Sequence, residues 1–194
     1  MGSNPTLSAI PGPLNLLLRI LWRPDEGWEA VRTLDPGWLR PLFQVVIPLA
    51  VLPAIAWPIG HAVDPIGPDA TGRSLTALFA ITFAFSVGAV VVAAAAIYAL
   101  APVFSVQRRW RHAIAVAAYA SVPVFLASPL LASPTLTILV VAAFFHSCVL
   151  CSQGLRRLLR CRSEDAAMYV AAAAFVAGLA GLVLGGLSSA AGIL

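Results

Sequence analysis

Residues 41–60, PLFQVVIPLAVLPAIAWPIG, hold no charged side chain and are closed off by Arg40 before them and His61 after them. A helix of that length, at about 1.5 Å per residue, spans roughly 30 Å, the thickness of one bilayer core. Reading outward, charges punctuate the rest of the chain in the same way. A longer apolar run, about Leu75 to Phe104, lies between Arg73 and Arg108 and must tilt or emerge from the membrane. No Arg, Asp or Glu occurs between Arg111 and Arg156, and Ser128-Pro129 with Ser133-Pro134 marks a reversal inside that stretch. It therefore splits into spans at about 113–132 and 135–152. The last run, from Ala166 onward, is uncharged and supplies a fifth span over about 166–189.

Composition agrees. The 194 residues are 60% hydrophobic and 10% charged, where a soluble domain carries about 25% charged residues. Such a chain cannot cover a core with a wettable surface. A soluble enzyme, a disordered chain and a secreted disulfide scaffold are excluded together. The expected fold is an all-α integral membrane protein: a bundle of five transmembrane helices (residues 41–194) preceded by amphipathic interfacial helices (residues 1–40).

All twelve cationic side chains are Arg, and with the abundance of Ala, Val and Pro this matches the bias of a GC-rich bacterial genome. The net charge of +4 would suggest nucleic acid in a soluble protein. Here the arginines flank apolar runs, so membrane topology accounts for them and no nucleic-acid partner is expected. Arg19, Arg23, Arg32 and Arg40 precede the first span, Arg108, Arg109 and Arg111 lie between the second and third, and Arg156, Arg157, Arg160 and Arg162 between the fourth and fifth. The opposite side has only Arg73. The positive-inside rule then puts the N-terminus in the cytoplasm and Leu194 outside, in a bacterial inner membrane.

Leu14 to Trp22 is short, interrupted by Arg19 and preceded by prolines, which does not make a cleavable signal peptide. The opening Met1-Gly2-Ser3-Asn4-Pro5-Thr6 matches a loose myristoylation pattern. Leu14, Leu17, Leu18 and Leu21 repeat at helical spacing. Pro24-Asp25-Glu26 reads as a fresh helix start, and that second helix carries Trp28, Val31 and Leu34 inward or toward lipid. Trp22, Trp28 and Trp38 fit a membrane-interface belt. The segment is thus an anchor along the cytoplasmic face or a partner-binding surface.

Inside the spans only His146 is titratable among the basic and acidic side chains. This weighs against a carboxylate-driven transporter and a metal-dependent hydrolase. His146, Cys148 and Cys151 offer the residue types of a metal or redox site. On one helix, however, the two cysteines share a face from which His146 points away, and the pair sits late in its span. No metal and no cofactor is expected. The three cysteines form no disulfide framework, and His61 and His112 lie at span ends.

Pro48, Pro53 and Pro58 recur every five residues in the first span. Each frees a carbonyl one turn earlier, which either kinks the helix or lines a solute path. Tyr119 and Pro123 repeat the device in the third span. In the last span Ala173, Ala177, Gly181, Gly185 and Ser189 stand at four-residue spacing. That small-residue stripe admits another helix, from the same chain or from a second subunit in a homo-oligomer. Gly-rich phosphate loops and Ser/His/Asp sets are missing.

Several stretches, in order, resemble the Yip family (Yip-one domain) of five-span membrane proteins, in its bacterial branch. They are Leu14-Asn15-Leu16-Leu17-Leu18-Arg19-Ile20-Leu21-Trp22-Arg23-Pro24 followed by Trp28 and Val31; Ala118-Tyr119-Ala120-Ser121-Val122-Pro123; and Gly154-Leu155-Arg156-Arg157-Leu158-Leu159 with Ser163-Glu164-Asp165-Ala166-Ala167-Met168-Tyr169. The resemblance covers nearly the whole chain and implies five spans. Eukaryotic relatives bind Rab-type GTPases and act in vesicle traffic. Their Asp-Leu-Tyr-Gly-Pro segment is missing here, and His146, Cys148 and Cys151 occupy positions that are aromatic in many bacterial relatives, so Rab binding is not carried over. The expected role is a non-enzymatic membrane adaptor or organiser. Its working face would be the N-terminal helices with Arg108, Arg109, Arg111, Arg156, Arg157 and Arg160, set against lipid headgroups or a protein partner. The alternative is a small channel or transporter lined by the proline-broken first span and Tyr119–Pro123.

Overall fold

The computed structural model describes the backbone of residues 12–34, 37, 39–63, 74–132 and 136–190, and their side chains except those of 13, 60–63, 131, 132, 137 and 184–190. Every regular element among them is helical. Two short helices come first, α1 (Pro13–Trp22) and α2 (Pro24–Leu34). The first span opens with one turn, α3 (Leu39–Pro41), passes through a π-helical stretch at Leu42–Val46 and continues as α4 (Ile47–Val63). Then follow α5 (Leu75–Leu100), α6 (Trp110–Ala120), α7 (Val122–Ala127) with a 3₁₀ turn at Ser128–Ala132, α8 (Thr137–Leu158) and α9 (Ala166–Ala190). Five helical segments are long and apolar enough to cross a membrane, so the chain is an integral membrane protein.

The third span is the centre of the bundle. Of its apolar window 67% is buried, against 11–33% in the other four. The run Ala113–Ala120 is buried at every position, with α5 on one side and α8 on the other. Alanines at 113, 115, 117, 118 and 120 let neighbours approach from all directions, which is how helices pack where lipid supplies no hydrophobic drive. Phe43, Trp57, Phe85, Phe145 and Phe175, all left outside, belong to the peripheral spans. α9 closes the bundle against α5 and α8. There Tyr169 donates its hydroxyl to the Ile97 carbonyl and stacks on Phe104, ring centroids 4.4 Å apart.

Span boundaries moved for local reasons. The second helix ends at Leu100, not near Phe104: Ser105 takes φ 55°, and the Val106 N–H closes back on the Ala101 carbonyl at 2.9 Å. The fourth runs on past Ser152 to Leu158, so Arg156 and Arg157 stand in its last turn, where a helix dipole favours cations. In the third, Ser121 breaks the helix ahead of Pro123. Pro53 and Pro58 are carried inside α4, while the π-helical stretch precedes Pro48 and absorbs the register change there. The Ser133-Pro134 reversal lies outside the described residues.

Candidate interaction face

The N-terminal hairpin is assembled on two glycines. α1 crosses α2 at Gly27, where an added Cβ would lie 2.6 Å from Ile20 Cγ1 and 2.7 Å from the Ile20 backbone. Leu16 and Ile20 are the residues α1 buries. Leu17 and Leu21, read from spacing as part of the apolar face, are half-buried at its edge, and Leu14 and Leu18 are exposed. α2 in turn docks on α8. Trp28 is fully buried with its ring over Gly154, where a Cβ would sit 2.8 Å from both Cη2 and Cζ2. The same indole meets Tyr119 of the central span edge-on at 6.2 Å. Trp28 is therefore no part of an interfacial tryptophan belt, because the notch at Gly154 takes it into the protein. Trp22, 81% exposed, remains a belt candidate, and Trp38 lies outside the described residues.

This docking carries unmet polar demand. Trp28 Nε1 and Gln153 Oε1 are buried with no hydrogen-bond partner among the described residues; each such group typically costs about 1–3 kcal/mol. At the rim, Arg157 Nη2 donates to Asp25 Oδ1 at 2.7 Å, tying α2 to the end of α8. Both side chains are well exposed, so the pair contributes under about 1 kcal/mol. Asp25→Asn is accordingly expected to lower hairpin stability by less than that, with the difference vanishing in high salt. Thermal melts of the single and double variants with Arg157→Gln check it.

The arginines of this face differ in their engagements. Arg23 pairs with Glu26, Arg32 with Glu29 and Arg162 with Glu164. Arg40 donates to Gln44 Oε1 at 3.0 Å across the π-helical stretch. Arg108 lies 5.6 Å over the Tyr98 ring, and Arg109 donates to Gln107. Arg111, Arg156 and Arg160 are exposed, the last in the left-handed region at φ 56°. By sequence count the face holds eleven arginines against six acids (Asp25, Glu26, Glu29, Asp35, Glu164 and Asp165). Cys161 is buried in the loop between α8 and α9. Burial, then the Asp165 charge, pushes its thiol up against a hydrogen bond from the Arg162 backbone that lowers it.

The remaining candidates do not converge on one site. Pro48 is exposed, Pro53 half-buried and Pro58 buried, so the three turn to different surroundings. Tyr119 and Pro123 are buried in the central span. On α9, Ala173 is buried and Ala177 packs on the core, but a Cβ on Gly178 or Gly181 would meet open space. Within the described residues the stripe thus meets its own chain only at its first half; the Gly185 and Ser189 side chains lie outside them. His146 is exposed, and Cys148 and Cys151 are half-buried. No three metal-type ligands group together among the described residues. Sequence reading missed Gly27, Gly154 and Gln153. A glycine inside an apolar helix beside a polar Gln was the available signal, since it costs helix stability and needs a packing reason.

No curated protein and no solved structure was found to match this chain. A family model does match, the Yip1 domain, over residues 18–185. That match takes in the hairpin from Leu18 onward, all five spans and the loops carrying the arginine clusters, and on it the chain belongs to the Yip family.

Proposed function

We propose that the protein is a non-enzymatic adaptor or organiser of the bacterial inner membrane, working through its arginine-rich face, with the N-terminus cytoplasmic and the C-terminus outside. The eleven-to-one distribution of arginine supports this orientation. The observation that carries the reading is the hairpin itself. α1 spends Leu16 and Ile20 on α2 and leaves Leu14, Leu18 and Trp22 exposed along its other side. Beside that apolar strip stand arginines in excess of acids, each worth roughly 1 kcal/mol near anionic headgroups. An apolar strip with cationic flanks suits the bilayer surface and a partner helix held against it.

The solute-path alternative has less behind it. The first-span prolines face different surroundings, and the centre is filled by the buried Ala113–Ala120 run.

In-cell crosslinking followed by affinity purification tests the adaptor reading. A stoichiometric protein partner is expected with the native chain and is lost from the Leu14→Asp/Leu18→Asp variant, with membrane insertion unchanged. Recovery of the chain alone, or with itself only, overturns it and turns attention to flux measurements in liposomes.

A further inference from the structure

α8 presents a polar group to the lipid at mid-depth. His146 stands nine residues after Thr137 and twelve before Leu158, roughly 14 and 18 Å from the two ends of the helix, too deep to reach either interface. It is exposed on the outside of the bundle, and no described residue hydrogen-bonds it. Acyl chains offer an imidazole neither donor nor acceptor, so its polar atoms lose their water without replacement.

The surroundings of His146 are ordered. Leu139, Ala142, His146 and Val149 follow one another at spacings of three and four, a seam of 3.5-residue period. Leu139 and Val149 are about half exposed, and Ala142 and His146 are exposed. Ala142, one turn from His146, leaves room for a neighbouring helix. None of these four side chains belongs to the buried core of the bundle or packs against it.

We propose that this seam is a homodimer interface in which α8 pairs with α8 of a second copy, and His146 hydrogen-bonds His146 across the two-fold axis. Two copies inserted in the same direction are related by an axis along the membrane normal, so their α8 helices run parallel. In a parallel pair each seam residue meets its own equivalent. A neutral imidazole has one donor and one acceptor, so it is complementary to itself. A single polar residue in an otherwise apolar seam also fixes register, which is how buried polar groups at such positions select a dimer.

The test uses the full chain in liposomes, labelled for single-molecule photobleaching over a range of protein-to-lipid ratios. The native chain is expected to dimerise. His146→Leu weakens dimerisation about threefold to thirtyfold, the range of one interhelical hydrogen bond, while the monomer melts unchanged because the side chain holds nothing inside its own bundle. His146→Asn, which keeps a donor and an acceptor, retains most of the affinity. A photo-crosslinking residue at Ala142 captures a second copy, and one at Phe175, exposed on α9, does not. A monomer at every ratio, a dimer indifferent to position 146, or crosslinks from Phe175 alone each overturns the proposal.

Discussion

Trp28→Ala is expected to release α2 from the bundle, at a cost of about 3–5 kcal/mol, the range for emptying a buried Trp site. The indole is wholly buried between α2, Gly154 of α8 and Tyr119 of the central span. Removing its unbonded N–H returns part of the loss, about 1–3 kcal/mol, which places the net effect at or below the lower end of that range. Trp28→Phe separates the contributions: it keeps an aromatic ring in the notch, drops the orphan donor and should cost far less. Hydrogen exchange is the suitable readout, with protection of residues 13–34 lost in the alanine variant and the central span still protected. Full protection of α2 in Trp28→Ala would mean that the hairpin is held by something other than this contact.

Gly27→Val is expected to detach α1 while leaving α2 in place. A Cβ at residue 27 falls within 2.7 Å of Ile20 backbone atoms, which cannot rotate away as a side chain end could. Replacing a helical Gly gains helix propensity of no more than about 1 kcal/mol. Overpacking of this kind costs about 1–3 kcal/mol, and with backbone as the obstacle the upper part of the range applies, so the clash prevails. The pattern distinguishes this variant from the previous one. Exchange should rise over 13–22 and stay low over 24–34, because Trp28 and Gly154 are untouched. A rise over both helices would show α1 to be needed for the docking of α2.

The membrane class and the order of five spans were legible because charge spacing and bilayer thickness dictate them directly. Pro41–Gly60 could be measured against a bilayer from its residues alone. The start of α2, where Pro24 and two acids sit at a helix N-terminus, was equally legible, whereas the choice for Trp28 and Val31 between inward and toward lipid was left open. What stayed hidden depends on which surfaces meet. Nothing in the order of residues says that Asp25 finds Arg157, 132 positions away, or that Trp28 lands on Gly154 instead of at a lipid interface. In α1 the leucine spacing marked a real stripe, yet Leu16 and Ile20 won the inner position because Gly27 opens a gap opposite Ile20. The alanine-rich centre could have been read from Ala113–Ala120: a span with few bulky side chains has little to offer lipid. The candidate face was visible as an arginine count but not as a hairpin with one apolar side outward.

The unbonded indole of Trp28 also gives the molecule a built-in optical gauge. An indole shielded from water and from hydrogen-bond acceptors emits at shorter wavelength than one in contact with solvent. The other four tryptophans, Trp22, Trp38, Trp57 and Trp110, supply a background that their replacement by Phe removes, which leaves Trp28 as the reporter. Loosening of α2 by a variant, a bound protein or a change of lipid would therefore register as a red shift in intrinsic fluorescence. The position of the hairpin can be followed in liposomes of the purified protein with no label attached.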